Sequence, residues 1–565
     1  MPVSSALPEL PALPELHPAD IRAALLAKRE IALVDVREED PYAQEHPLFA
    51  VQLSPSRLEL DALWRLPRRD VTIAVYDDGE GLAEPVARRL VALGYSGVHL
   101  LAGRGAQGQR NGLQAWKDAG YEVFRDVNVP SKAFGELVEH VVHTPSLPAE
   151  EVKALLEAKA RGEADVVVVD ARRFDEYQTM SIPTGTSVPG AELVLRVREL
   201  APDPRTQVIV NCAGRTRSII GTQSLVNAGL PNPVAALRNG TIGWTLAGFE
   251  LDRGASRRFK PVTEPNLQAA QAAAQALADR AGARRLTRAG LAAWEADATR
   301  TLYRWDVRTP QEYEQGHLPG FGSAPGGQLV QETDVFAAVR GARIVLVDGG
   351  LADDGVRAPM TAHWLAQLGW EVAWLTDAVP ADFSETGPWT PPQVPPPAVP
   401  TLTPAELAAL LADPAPRTLV LDLGTSAQHV KGHIPGAWWV LRVDLPAALR
   451  ALPAAERIVL TCANGALSPH VAADLEADLA AEHGGATAPA VAVLAGGTAA
   501  WVAEGRPLAT GEQHLASART DRYRRPYEGT DAPREAMQAY LDWEFGLVAQ
   551  LGRDGTHGFQ VLAPN

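Results

Sequence analysis

The chain has 565 residues, too many for one hydrophobic core, and this length predicts roughly three to five domains. Hydrophobic residues make up 46% of the chain and charged residues 21%, which excludes an intrinsically disordered protein. The net charge of −16 disfavours nucleic acid as a partner, because binding a phosphate backbone requires basic patches.

The number of cysteines and the composition of the N-terminus indicate in which cellular compartment the protein is expected. The two cysteines of the sequence are Cys212 and Cys462, too few for a secreted protein held together by disulfides. The N-terminus has no basic patch followed by an apolar run, so we expect no signal peptide. No stretch of about 18 apolar residues is present, and we expect no membrane partner. These features predict a cytoplasmic protein with two free thiols.

A short apolar run that ends in aspartate occurs four times along the chain, at Asp35, Asp170, Asp306 and Asp422. Two residues later come Arg37, Arg172, Arg308 and, as the exception, Gly424. Seven residues after the aspartates come Tyr42, Tyr177, Tyr313 and His429, and eleven after them come His46, Ser181, His317 and His433. This shared register indicates four copies of one structural unit, and we predict that its polar residues are scaffold rather than catalytic groups.

A second run of β-branched and aliphatic residues follows in each copy, at 73–75, 208–210, 344–346 and 458–460. Runs of this composition are typical of interior strands in a parallel sheet. A loop and a helical pattern rich in Ala and Leu follow each run. The alternation predicts an α/β fold of four tandem domains, each a central parallel sheet flanked by helices.

The repeat also predicts where the domains begin and end. The predicted domains are residues 14–127, 140–255, 284–386 and 400–512, followed by a tail at 513–565. Residues 263–286 are expected to be helical, and the proline-rich residues 391–400 to be extended. The tail lacks the repeat, and the amphipathic pattern of residues 537–551 predicts a helix there.

The combination of D-x-R, an H-x-P-G turn, a strand followed by a cysteine loop, and a Gly-containing turn before Trp resembles the rhodanese family. The resemblance covers nearly all of residues 14–510 as four tandem rhodanese-like domains. It is most specific at Cys212, whose loop C-A-G-R-T-R matches the six-residue active-site loop of the family. The resemblance implies a sulfurtransferase that moves sulfane sulfur through a cysteine persulfide.

Cys212 is the expected catalytic nucleophile. The reactive form of cysteine is the thiolate, and a loop between a strand and a helix N-terminus can stabilise it with backbone N–H groups. Gly214 permits the tight backbone path, while Arg215 and Arg217 are expected to supply positive charge to the thiolate and to an anionic donor. The expected substrate-binding residues are Ala213, Gly214, Arg215, Thr216, Arg217 and Ser218.

The other three copies differ at this loop. Cys462 occupies it in the fourth copy, where Leu467 stands in the register of Arg217 and the loop has no Arg or Lys. Cys462 is therefore either a second catalytic thiol, for a neutral or thiol-borne substrate, or a relic. The first and third copies place Asp77 and Asp348 in the register of the nucleophile. A carboxylate repels anionic donors and cannot hold sulfane sulfur, so these two copies are predicted to be inactive.

The favoured function is a thiosulfate or persulfide sulfurtransferase that needs no cofactor and no metal. The expected donors are thiosulfate, a polysulfide or glutathione persulfide, and the expected acceptors are cyanide or a thiol. A phosphatase or arsenate reductase on a similar fold is less favoured, because those enzymes need a C-x5-R loop and this chain has C-x4-R. A non-enzymatic sulfur carrier or scaffold is the remaining alternative. The acidic loops are expected to be solvated rather than metal-binding.

Overall fold

A computed structural model describes residues 12–105, 108–349, 355–413, 417–483, 488–529 and 531–563. Within these ranges four five-stranded sheets follow one another along the chain, and we call the four units modules one to four. Neighbouring strands within each sheet are parallel, and the strands of each module lie in the order first, fifth, fourth, second, third. The predicted class, four tandem α/β units with central parallel sheets, is confirmed.

The first two modules have the same succession of elements. Module one contains β1 (Glu15–Leu16), α1 (Pro18–Leu26), β2 (Ala32–Asp35), α2 (Glu39–Gln44), β3 (Ala50–Gln52), α3 (Leu58–Arg65), β4 (Ile73–Tyr76), α4 (Ala83–Ala92), β5 (Val98–Leu101) and α5 (Gly112–Asp118). Module two contains β6 (Ser146–Leu147), α7 (Ala149–Ala160), β7 (Val166–Asp170), α8 (Phe174–Thr179), β8 (Thr186–Ser187), α9 (Leu193–Leu200), β9 (Gln207–Asn211), α10 (Thr216–Asn227), β10 (Val234–Leu237) and α11 (Gly240–Leu246).

Module four repeats this plan, whereas module three has two helices between its third and fourth strands and, among the described residues, no α-helix after its fifth strand. Module three contains β11 (Arg284–Leu286), α13 (Arg288–Glu295), β12 (Leu302–Asp306), α14 (Pro310–Gln315), β13 (Gly322–Ser323), α15 (Gly326–Gln331), α16 (Thr333–Phe336), β14 (Arg343–Val347), α17 (Arg357–Gln367) and β15 (Glu371–Leu375). Module four contains β16 (Thr401–Leu402), α18 (Pro404–Ala412), β17 (Thr418–Asp422), α19 (Ser426–Lys431), β18 (Trp438–Trp439), α20 (Leu445–Ala451), β19 (Arg457–Thr461), α21 (Ser468–His483), β20 (Ala490–Leu494) and α22 (Gly497–Ala503).

Three longer helices lie outside the modules: α6 (Val129–Val142), α12 (Glu264–Arg280) and α23 (Arg534–Asp554). The last two fall in segments where the sequence predicts helices, although the helix predicted for residues 263–286 ends at Arg280 and residues 284–286 form β11 instead. Helix α6 follows module one without such a prediction. Among the described residues, no helix combines the length and the apolar character needed to cross a membrane.

The repeated polar residues connect the end of a central strand to the next loop. In module two, Arg172 donates to Asp170 through Nε at 2.9 Å and Nη2 at 2.8 Å, and to the Met180 carbonyl at 2.6 Å. Module four has no arginine at this position, and the ring Nδ1 of His429 lies 2.9 Å from Asp422 Oδ2 instead. These side chains are buried. Because a buried charge is costly unless it is paired, the recurring pairs serve the fold.

The modules pack against one another through shared cores and buried polar contacts. Modules one and three share a hydrophobic core, and the hydroxyl of Tyr303 donates to the Arg65 carbonyl at 2.6 Å. Modules two and three approach so closely that a Cβ on Gly327 would lie 3.0 Å from the backbone nitrogen of Gly190. This packing leaves α6 and α23 in contact with each other and with the second module.

Candidate functional site

Cys212 lies in the loop between β9 and α10, at the carboxyl edge of the sheet of module two. Its thiol donates to Ser218 Oγ at 3.3 Å, and the Ser218 hydroxyl donates to the Arg215 carbonyl at 2.8 Å. The Cys212 carbonyl accepts from the Thr241 N–H at 2.9 Å, which joins the loop to α11. A Cβ on Gly240 would lie 2.3 Å from that carbonyl, and its φ is +55°, so only glycine fits there.

The same loop in modules one and three holds a buried carboxylate. Asp77 is 1% exposed and Asp348 is 3% exposed, so the expectation of fully solvated acidic loops is wrong for these two residues. Asp77 accepts backbone N–H groups from Gly79, Leu82 and Ala83 at 2.6–3.2 Å, and Asp348 accepts them from Val356 and Ala358 at 2.9–3.0 Å. The nearby Asp353 and Asp354 lie outside the described residues. The loop position of the nucleophile therefore accommodates an anion in the sister modules.

The sequence position of Arg217 suggested a guanidinium that is free to bind a ligand, but the structure shows that it is already paired. It donates to Glu176 on α8 through two hydrogen bonds of 2.7 and 2.8 Å. Although burial alone would raise it, the pKa of Glu176 is held at about 2 by Arg217. The ion pair forms because the guanidinium is shielded from water and therefore needs a counter-charge nearby. Arg217 nevertheless lowers the pKa of the Cys212 thiol through space.

Arg215 is also committed to protein carboxylates rather than available to a donor. It donates to Glu136 at 2.7 and 2.9 Å, forms an ion pair with Glu139, and donates to Asn239 at 3.0 Å. Both glutamates belong to α6, outside module two. The predicted charge of Arg215 therefore fixes α6 against the active loop, because a buried guanidinium makes strong bidentate pairs.

The Cys212 thiol does not have the lowered pKa that the loop composition suggested. Cys212 is 2% exposed, and burial raises the pKa of its thiol, while Arg217 and Ser218 offset part of that effect. Desolvation disfavours the charged thiolate more than the single nearby cation favours it. In this closed arrangement the thiol is therefore the resting form.

Helices from outside the module cover the loop. A Cβ on Gly135 of α6 would lie 2.8 Å from Thr216 Cγ2. A Cβ on Gly214 would lie 3.2 Å from Tyr540 Cε1 and 3.3 Å from Glu544 Oε2, both on α23. The sequence predicted a helix in the tail but assigned it no role. In the structure this helix, α23, forms one wall of the Cys212 site.

The remaining predicted residues shape the loop. Ala213 is 2% exposed and its carbonyl accepts from the Ile242 N–H at 3.0 Å, while Thr216 begins α10. Residues that sequence reasoning missed supply most of the surroundings, namely Glu136, Glu139, Glu176, Tyr540 and Glu544. Four of these five lie on α6 or α23, and no offset within the repeat could have identified them.

Cys462 occupies the equivalent loop between β19 and α21 in module four. Its sulfur lies 3.7 Å from Ser468 Oγ, so the Cys–Ser contact of module two recurs. Leu467 packs into the core of the module, and Ala463 and Asn464 are exposed. Cys462 itself is 3% exposed, so the thiol is buried although its two neighbours face solvent, and the loop lacks cationic side chains of its own.

Comparisons with known proteins agree with this architecture. The Rhodanese-like domain family matches residues 18–118, 149–247 and 403–504, more than half of the chain. The crystal structure of a thiosulfate sulfurtransferase from Pseudomonas aeruginosa is 62% identical, covers 97% of this chain and 100% of that chain, and superposes with a TM-score of 0.91. An HTH-type transcriptional regulator of Mycobacterium tuberculosis is 33% identical over 97 residues, 17% of this chain. The match spans 42% of the length of that curated relative.

Module three lies outside the matched ranges, yet its sheet has the strand order of the other three. The matched ranges contain both cysteine loops and the loop of Asp77. From these matches and the fourfold sheet topology, we conclude that the chain belongs to the rhodanese-like domain family.

Proposed function

We propose that the chain is a sulfurtransferase in which Cys212 carries sulfane sulfur as a persulfide. The observation that carries this proposal is the position of Cys212. Cys212 lies in the loop where, in the sister modules, the side-chain oxygens of Asp77 and Asp348 accept backbone N–H groups. The likeness to a protein described as a thiosulfate sulfurtransferase supports thiosulfate as a donor.

The proposed reaction has two half-reactions. The Cys212 thiol first loses its proton, and Arg217 and Ser218 stabilise the resulting thiolate. The thiolate attacks the outer sulfur of thiosulfate, a new S–S bond forms, and the S–S bond of the donor breaks with its electron pair leaving on sulfite. An acceptor then attacks the outer sulfur of the persulfide and regenerates the Cys212 thiolate. Polysulfide or glutathione persulfide are alternative donors, and cyanide or a thiol the acceptors.

The modules have unequal roles in this proposal. Module two is the catalytic unit, and modules one and three are structural because a carboxylate occupies their loop. Cys462 is a secondary thiol whose uncharged loop suits a neutral or thiol-borne substrate better than a dianion. Two free thiols are compatible with a reducing compartment, and the proposed location is the cytoplasm.

Intact-protein mass spectrometry tests the proposal. After incubation with thiosulfate and desalting, the wild-type chain should gain one sulfur atom, and cyanide should remove it. Cys212→Ser should gain none, whereas Cys462→Ser should behave like the wild type. Absence of sulfur on the wild-type chain with thiosulfate, polysulfide and glutathione persulfide would contradict the proposal. Capture of a specific partner protein in that case would favour a scaffold.

A further inference from the structure

We propose that Glu544 on α23 is a specificity-determining residue of the Cys212 site. In its protonated form the carboxyl donates a hydrogen bond to an anionic sulfur donor, and in its ionised form it excludes that donor. This inference rests on the proposed function. It assigns to the C-terminal helix a part in choosing the substrate.

The geometry places one carboxyl oxygen of Glu544 at the active loop. Glu544 is fully buried, and its Oε1 accepts from the Tyr540 hydroxyl at 2.8 Å. The other oxygen, Oε2, lies 3.3 Å from the position of a Cβ on Gly214, two residues after the nucleophile. Within the described part of the chain Oε2 has no hydrogen-bond partner. Since a buried polar atom without a partner is costly, this oxygen is suited to a ligand atom.

Among the described residues, no cation forms an ion pair with Glu544 that would keep it ionised. On α6, Lys132 pairs with Asp126 at 2.6 Å. Also on α6, Glu136 is held by Arg215 of the active loop. Thus the two nearest cations are already matched to other carboxylates.

The protonation state follows from these surroundings. Burial, and then repulsion by Glu136, raise the pKa of Glu544 to about 8, although Lys132, Tyr540 and Arg215 act in the opposite direction. At neutral pH the carboxyl is therefore mostly protonated and can donate a hydrogen bond. Glu544 also raises the pKa of the Cys212 thiol, so its ionisation would disfavour the attacking thiolate as well.

These properties give the carboxyl two opposite effects on a dianion. A neutral Glu544 donates a hydrogen bond to an oxygen of thiosulfate and keeps its proton throughout, because sulfite leaves with the electron pair of the broken S–S bond. An ionised Glu544 would place a negative charge beside the dianion in a site shielded from water, where repulsion is strong. A neutral donor would not experience this repulsion.

The pH dependence of kcat/KM for thiosulfate between pH 6 and 10 tests the inference. In the wild type kcat/KM should rise about tenfold per pH unit as the thiolate forms, and level off above about pH 8 as Glu544 ionises. Glu544→Gln retains a neutral donor that cannot ionise, so its kcat/KM should continue to rise above pH 8. With dimethyl trisulfide, a neutral donor, the wild type and Glu544→Gln should differ less above pH 8 than with thiosulfate, because only the effect of Glu544 on the Cys212 thiolate remains.

Two further variants complete the test, the first as a control and the second as a change in the pKa of Glu544. Glu535→Gln, at an exposed position in the first turn of the same helix, should leave the wild-type profile unchanged. Tyr540→Phe removes the hydrogen bond that lowers the pKa of Glu544, so the levelling-off should move to higher pH.

The outcomes separate the inference from the proposed function. Levelling-off at the same pH in wild type and Glu544→Gln, with both proteins folded by circular dichroism, would overturn the role of Glu544. If Glu544→Gln fails to fold, an unshifted profile in Tyr540→Phe would overturn it. Failure of the wild type to form any Cys212 persulfide would instead refute the proposed function.

Discussion

The loops of Cys212 and Cys462 occupy the same place in two modules of the same fold, yet their surroundings differ. Each cysteine follows the central strand and contacts a serine six residues later, Ser218 or Ser468. The first loop is covered by α6 and α23 and contains two paired arginines, whereas the second has no arginine or lysine and two exposed residues, Ala463 and Asn464. The repeat therefore places the thiol, and elements outside the repeat decide what that thiol can bind.

Enclosure has two opposing physical consequences. Removing water strengthens each electrostatic interaction at Cys212, which favours selective binding of a charged donor. It also raises the pKa of the thiol, so that fewer molecules hold the reactive thiolate.

The largest expected effect separates the two thiols directly. Cys212→Ser should reduce thiosulfate:cyanide turnover by at least ~10³-fold, because the nucleophile is lost. Cys462→Ser should change it less than about twofold. Steady-state thiocyanate formation measures both. A large loss of thiocyanate formation in Cys462→Ser, with normal folding, would mean that the Cys462 loop carries the reaction.

A second pair of variants tests the charge difference between the loops. Arg217→Met should lower kcat/KM for thiosulfate by roughly tenfold, because the Cys212 thiolate loses the nearby cation that stabilises it. It should also raise the pKa of the Cys212 thiol, because Arg217 lowers it in the wild type. Alkylation rates with iodoacetamide across pH measure that shift. The matched change in module four, Leu467→Met, should leave kcat/KM unaltered.

Exchanging one residue between the loops tests the helical cover. Gly214→Asn introduces the residue of module four, and its side chain would press on Tyr540 and Glu544. Overpacking of this kind costs about 1–3 kcal/mol, so α23 should open about tenfold more often. Hydrogen exchange of the amides in α23 measures the opening. Asn464→Gly serves as the control, and equal exchange in both variants would show that α23 does not seal the loop.

The smallest expected effect is the pH dependence of that cover. The pKa of Glu544 is raised from its ordinary value of 4.5 to about 8, so its protonated form stabilises the packing of α23 over the Cys212 loop. This contribution is complete below about pH 4.5, declines as the pH rises, and is lost as the pH passes about 8. From pH 7 to 8 this stabilisation of α23 falls by about 1 kcal/mol, so hydrogen exchange should show that the helix opens roughly fivefold more often. Glu544→Gln should remove this dependence, and its persistence there would assign it to another group.

Much of the fold could be predicted because the signals are local and repeated. The strands that end at Asp170 and Asp422, and those that precede Cys212 and Cys462, are short apolar runs in a constant register. Helix α12 followed from an uninterrupted Ala/Gln-rich stretch of good helix formers. Helix α6 was not predicted, since its residues lie between repeats and are covered by helices of other units, α10, α15, α16 and α23.

The candidate site was predictable only in part. The sequence identified Cys212 and its loop, but it suggested that Arg215 and Arg217 face a ligand. Their partners, Glu136 and Glu176, lie 79 and 41 residues away along the chain. Ion pairs at such distances depend on how helices pack, and a list of residue types does not contain that information.

By itself the sequence determined the fourfold α/β repeat, the position of both cysteines and the substitution of Asp77 and Asp348 in the sister loops, because strand register and loop composition are local properties. Tertiary structure alone decided that Cys212 is enclosed, that both loop arginines are neutralised, and that Glu544 of the C-terminal helix lies at the loop. The physical reason is burial. Desolvation, ion pairing and the pKa values that follow from them depend on which distant segments cover a residue.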